Sequence, residues 1–108
     1  MCRFIVLKEG NLSVPIPVDE VVRFEAMSSY TNVYLKNGRI HRQCGHIGYW
    51  EEKVKKTALF LRVHKSHLVN SQYIISFSKA GVFLKDNSSM DISAQGHINL
   101  QIFFADPF

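Results

Sequence analysis

From Thr31 to Lys36 the residues alternate in character, Asn37-Gly38 follows, and Arg39-Ile40-His41-Arg42 leads away. This predicts a β-hairpin. A type I′ turn needs positive φ at both central residues, and Asn-Gly is the pair that tolerates it best. The same grammar of short apolar runs closed by turn residues continues on both sides. Phe4 to Leu7 is β-branched and aromatic, and Glu9-Gly10-Asn11 closes it. Leu12-Ser13-Val14-Pro15-Ile16 alternates. Pro15 and Pro17 confine that strand to an edge or an end, because proline offers no N–H to a ladder. Asp19-Glu20 leads into Val21-Val22-Arg23-Phe24-Glu25-Ala26. Further strands are expected at Phe60 to His64, His67-Leu68-Val69, Tyr73 to Phe77, Val82-Phe83-Leu84-Lys85 and Met90-Asp91-Ile92-Ser93. Lys79-Ala80-Gly81 and Asp86-Asn87-Ser88-Ser89 read as turns. A chain with this rhythm folds as a mostly antiparallel β domain.

The period changes twice. Ile47, Trp50, Val54 and Ala58 recur at helical spacing, with Glu51, Glu52, Lys53, Lys55 and Lys56 between them. The acidic residues precede the basic ones, as the helix dipole prefers. A helix of about three turns is expected from Ile47 to Thr57. The tail from Ala94 to Phe104 reads as a second short helix, with Ile98, Ile102 and Phe103 or Leu100 facing inward and Asp106-Pro107 ending it. Phe4, Phe24, Phe60, Phe77, Phe83 and Trp50 fall on apolar faces, where core packing accounts for them. An exposed Phe104 or Phe108 either closes the core or docks on another subunit.

The 108 residues suit one domain, and no linker, repeat or low-complexity stretch divides them. With 46% hydrophobic and 20% charged residues, the composition is neither disordered nor fibrous. Lys plus Arg number 13 against 9 for Asp plus Glu, which permits a polyanionic partner without demanding one. No apolar run reaches the roughly 18–20 residues of a membrane span, and the N-terminus lacks a signal-peptide pattern. Cys2 and Cys44 are too few for a disulfide framework. A cytoplasmic protein without a membrane partner is expected.

Catalytic chemistry is not apparent. His64 and His67 stand three apart, so on one strand they would diverge, and neither His41, His46 nor a cysteine pair completes a metal site. Ser66 has no nucleophile elbow or recognisable acid partner. Glycine-rich phosphate loops are missing. No enzyme activity, metal or cofactor is expected.

The run Phe60-Leu61-Arg62-Val63-His64-Lys65-Ser66-His67-Leu68-Val69-Asn70 resembles the LytTR signature, aromatic-x-Arg-x-His-Arg/Lys-Ser-x-x-Val-Asn, at each fixed position. Other landmarks of that family occur in order. Phe24-Glu25-Ala26 precedes a polar loop with Tyr30, a hairpin and a helix follow, and Asp91-Ile92-Ser93 stands where a strand runs into a serine. The likeness runs from about residue 3 to about residue 103. LytTR domains are bacterial DNA-binding output domains, usually found behind a receiver domain. The resemblance implies about ten short strands in three small antiparallel sheets with one or two short helices. It also implies DNA read in successive major grooves by loops at one edge, not by a recognition helix.

Three loops are implicated by the resemblance. The first holds Tyr30, Thr31 and Asn32; Asn can pair bidentately with adenine, although the same residues are ordinary loop formers. The second is His64-Lys65-Ser66. Lys65 is placed for guanine or phosphate and Ser66 for phosphate, while His64 more simply shapes the loop. Asn70 reads as a turn former. The third follows Ser93, where many members of the family this chain resembles carry an Arg directly after the serine or close by. Here Ala94-Gln95-Gly96-His97 leaves Gln95 for adenine and protonated His97 for phosphate, without the arginine anchor. Arg42 and Arg62 are either phosphate contacts or edge-protecting charges. Arg39 and His41 add positive charge near Arg42, and Lys53, Lys55 and Lys56 form a solvated helix face. The implied partner is double-stranded DNA with paired direct repeats, bound as two copies or a homodimer. A receiver domain or sensor kinase stands upstream, although no receiver domain is recognised in these 108 residues. The competing reading is a protein-interaction or dimerisation module of the same fold.

Overall fold

The computed structural model describes residues 3–105. Cys2, Asp106-Pro107 and Phe108, each given an expected role above, lie outside the described residues. The strands are β1 (Phe4–Glu9), β2 (Leu12–Pro17), β3 (Val21–Met27), β4 (Tyr30–Leu35), β5 (Ile40–Cys44), β6 (Phe60–His64), β7 (His67–Asn70), β8 (Ile74–Ser78), β9 (Gly81–Leu84) and β10 (Ser89–Met90). The helices are α1 (Ile47–Val54) and α2 (Ala94–Phe103), and short 3-10 turns occupy Val18–Glu20, Lys55–Thr57 and Ser71–Tyr73. Three antiparallel sheets result, with strand orders β1-β2, β5-β4-β3-β7-β6 and β10-β9-β8. This is the expected mainly β architecture of about ten short strands with two helices.

The five-stranded sheet is covered on both faces. On one face Val21, Phe24, Val33, Leu35 and Leu68 meet Ile47, Trp50 and Val54 of α1 and Ile5 and Leu7 of β1. Phe24 stacks on Trp50 at 5.8 Å between ring centroids. On the other face Val22, Val63 and Val69 meet Val82 and Leu84 of β9 and Leu100 of α2. Alternation sends the adjacent Val21 and Val22 to opposite cores, and a bulge between Val21 and Arg23 shifts the phase so that Val21 and Phe24, three apart, serve the same one.

Several local expectations are corrected. The β4–β5 hairpin forms, but its loop has three residues. Gly38 alone of the Asn-Gly pair has positive φ (+90°), and the Asn37 side chain accepts the Arg39 N–H at 2.9 Å. The strand expected through Ser93 stops at Met90, because the Ser93 Oγ accepts the Gly96 N–H at 2.9 Å and starts α2. Ala94 to His97 are therefore a first helical turn, not a loop. In α2 it is Gly96 and Leu100 that are buried, while Ile98 and Ile102 are 45% and 73% exposed. A Cβ on Gly96 would lie 2.0 Å from the Val63 carbonyl oxygen, so only glycine lets the helix seat on β6. Leu100 follows one turn later on that same side, which turns Ile98 and Ile102 outward. Phe104 stacks on Phe77 at 5.8 Å yet stays 43% exposed. Ala58 leaves the helical face, since it sits past the 3-10 turn at φ +57°. Phe4 and Phe83 are exposed, because Ile5 and Leu7 in β1 and Val82 and Leu84 in β9 take the inward positions of a period-two pattern.

Candidate nucleic-acid interface

Two turns share one end of the five-stranded sheet. The Ser28-Ser29 turn joins β3 to β4, and the Lys65-Ser66 turn joins β6 to β7. They are tied together: the Ala26 N–H donates to the Ser66 carbonyl at 2.9 Å, and Glu25 pairs with His67 in register. The start of α2 is fixed at the same end of β6. There the Ser93 N–H donates to the Val63 carbonyl at 2.9 Å. The turn bearing Arg39 and Lys36 lies at the opposite end of the sheet, so those cations do not join this rim.

Below the turns, register places Arg42, Asn32, Glu25, His67 and His64 in one row across β5, β4, β3, β7 and β6. Directly opposed residues in antiparallel strands share a face. Asn32 is half-buried and Arg42 exposed. Tyr30, two positions before Asn32 and on its face, is 45% exposed, with the Arg42 guanidinium 5.7 Å from its ring. Thr31 points the other way. It is fully buried, and its Oγ1 donates to the Gly45 carbonyl at 2.9 Å, so it cannot reach a base edge as expected. His41 likewise turns inward, with Nδ1 3.1 Å from the Glu9 carboxylate on β1.

Lys65 is exposed at the tip of its turn and Ser66 half-buried. His64 Nδ1 accepts the Ser66 N–H at 3.1 Å, an arrangement that shapes the turn. The expectation that His64 and His67 diverge is corrected: they close the β6–β7 hairpin as a pair, with rings 5.4 Å apart. Burial pushes the pKa of His67 below 6.5, against an opposing pull from Glu25, and its buried Nδ1 has no hydrogen-bond partner among the described residues.

Arg62, whose sequence position allows a phosphate contact or an edge-protecting charge, is turned to the protein. Its Nε donates to the His64 carbonyl at 3.0 Å, its Nη2 to the Lys65 carbonyl at 2.8 Å, and its Nη1 to the Glu51 carboxylate. Gln95 is exposed on the first turn of α2, where its Nε2 donates to Asn99 Oδ1 at 3.0 Å. His97 stands two residues on, toward Phe77, with 6.1 Å between rings. Helical geometry thus puts Gln95 and His97 on different sides of α2.

The sequence does not by itself reveal the largely buried cluster of Arg23, Tyr34 and Glu25 that supports the middle of the row from the next rung of the sheet. Tyr34 Oη donates to Glu25 at 2.7 Å, the Arg23 guanidinium lies 3.6 Å from the Tyr34 ring centroid, and Arg23 reaches Glu25 at 3.7 Å. Burial raises the Tyr34 pKa, and its bond to Glu25 raises it further. The two-residue spacings Arg23–Glu25 and Asn32–Tyr34 carried the signal, since such pairs share a strand face. Just past α1, Lys55 is 3.8 Å from Glu52 of that helix and both are exposed, which fits a solvated face. Among the described residues no three His, Cys, Asp or Glu side chains gather to hold a metal ion. Among them, too, no helix is long and apolar enough to cross a membrane.

Comparison with curated proteins gives no match. Among solved structures, one superposes with a TM-score of 0.76 over 94% of this chain and 96% of its own, at 18% identity. It is described as the LytTr DNA-binding domain of a methyl-accepting/DNA response regulator from Bacillus cereus. At that identity the likeness is one of fold. The sequence pattern of the LytTr DNA-binding domain matches residues 12–102, from the start of β2 to the last turn of α2. With that match over most of its length, and with the signature run forming the turn that carries Lys65, the chain belongs to the LytTR family of DNA-binding domains.

Proposed function

We propose that this domain reads double-stranded DNA by sequence, entering major grooves with the rim formed by its two turns and the start of α2. The carrying observation is that Lys65, exposed at a turn tip, shares one end of the sheet with the Tyr30–Asn32 segment and Gln95. Asn32, Lys65 and Gln95 offer donors and acceptors to base edges. Tyr30, Arg42, Ser66 and His97 supply phosphate contacts, and His64 holds the turn. Thr31 and Arg62 serve inside the protein. Two copies occupy paired direct repeats, as a homodimer on DNA, and the domain acts as the cytoplasmic output of a response-regulator or sensor-kinase pathway. It performs no catalysis.

Selection of bound sequences from a random duplex pool tests this. A recovered consensus with a half-site repeat is the expected result. Lys65→Ala is expected to weaken binding to that consensus by about 1–3 kcal/mol. An unenriched pool, or Lys65→Ala binding as well as the parent, overturns the reading. A second reading has support of its own: Ile98, Ile102, Phe103 and Phe104 are all exposed by 41% or more, as a protein-interaction module of this fold requires. A stable dimer in light scattering that ignores DNA favours it.

A further inference from the structure

We propose that Arg62 is a positioning residue that sets the β6–β7 turn and the start of α2 in register with each other, so that Lys65 and Gln95 reach one duplex together. The inference rests on the DNA-binding reading above. Its basis is a contact set that joins three elements through a single residue. The guanidinium donates to two successive carbonyls of the turn, His64 at 3.0 Å and Lys65 at 2.8 Å. Its remaining edge meets Glu51 of α1. Its own carbonyl accepts from Asn99 Nδ2 at 3.3 Å, and Asn99 Oδ1 holds Gln95 at 3.0 Å.

The guanidinium spreads its donors over three nitrogens and so reaches two neighbouring carbonyls and a carboxylate at once, whereas an ammonium carries its three donors on a single atom. The β6–β7 turn has two residues and gains little order from its own backbone. Arg62 supplies that order from α1, the most apolar-anchored helix of the molecule, where Ile47, Trp50 and Val54 are buried. With its side chain 29% exposed and bonded on three nitrogens, Arg62 is committed to the protein. Glu51 therefore has an unusual role for an acid beside a polyanion site: it strengthens binding through Arg62 although its charge repels phosphate.

That sign is the test. Glu51→Gln removes a negative charge, so simple electrostatics predicts tighter DNA binding. Positioning predicts binding to the selected duplex weaker by roughly tenfold, with binding to a scrambled duplex unchanged or tighter. Arg62→Lys keeps the charge and loses the fork. It is expected to bind the selected duplex as poorly as Arg62→Gln, with the salt slope of the parent. If Arg62 touches phosphate instead, Arg62→Gln lowers that slope by about 0.9 and Arg62→Lys restores it. Glu51→Gln binding the selected duplex as tightly as the parent, or tighter, overturns the proposal. Amide exchange of the free protein is the second readout: the Lys65 and Ser66 amides should exchange faster in Glu51→Gln while those of Val33 and Leu68 do not change. Unchanged exchange at the turn also overturns it. If the parent recovers no duplex at all, the DNA-binding reading fails, and exchange still decides whether Arg62 holds the turn.

Discussion

Asn70 carries more than its place at the end of β7 suggests. Its Oδ1 accepts the Gln72 N–H at 2.9 Å, the local turn bond expected of it. Its Nδ2 also donates to the Val21 carbonyl at 2.9 Å, across 49 residues of chain and fully buried. Asn70→Ala leaves both backbone groups unpaired, and urea denaturation should show a loss of about 2–4 kcal/mol. His67 gives a prediction in pH. Its folded pKa lies below 6.5 because burial disfavours the charged ring. Below 6.5 the unfolded chain takes up a proton that the folded chain refuses. The associated stability is complete above 6.5 and is lost as pH falls from there through the lower folded value. His67→Gln should remove that part of the acid dependence, and urea midpoints of parent and variant between pH 7 and about 5 check it.

Helix α2 shows how an element depends on two small residues. Ser93 caps it, and Gly96 seats it on the Val63 carbonyl. Ser93→Ala should lower stability by about 1 kcal/mol, the usual cost of a lost cap. Gly96→Ala is a larger change despite its size. The added carbon meets backbone, not a side chain that can rotate away, so β6 and α2 must part. A loss of about 3 kcal/mol or more is expected in thermal melts. Gln95 then loses its place beside Arg62, so DNA specificity falls more than the loss of folded protein explains. The exposed Ile98 and Ile102 do not oppose this seating, because they stand on the far side of α2.

For the molecule as a whole, charge and fold set separate limits. A formal charge of +4 is modest for a DNA-binding domain, and helix α2 after Ser93 carries no lysine or arginine. On the proposed reading, phosphate contacts come from a few side chains on the rim. Plots of log affinity against log salt should be linear with a slope near −0.9 per phosphate contact, and a flat plot would exclude duplex binding. A duplex carrying two repeats should take up two copies in light scattering, and a single repeat one copy. The 18% identity beside a TM-score of 0.76 shows one fold built from two largely different sets of side chains.

The succession of strands, the hairpins between consecutive strands, the first helix and the signature turn follow from the sequence, because each depends on residues within about ten of one another; the β3–β7 pairing at the centre of the sheet does not. Nor does the parity of each strand. Alternation fixes that Thr31 and Asn32 point apart. It cannot say which is buried when both faces of the central sheet are covered, as they are here. The tail is apolar on every side, so its inward face was set by the fit of Gly96 on Val63, 33 residues away. The sequence leaves Arg62 open between a phosphate contact and an edge-protecting charge because its carboxylate partner, Glu51, sits on another element. Local patterns thus determined which segments form and in what succession. Long-range packing decided which side chains were spent inside the protein and which were left to meet a partner.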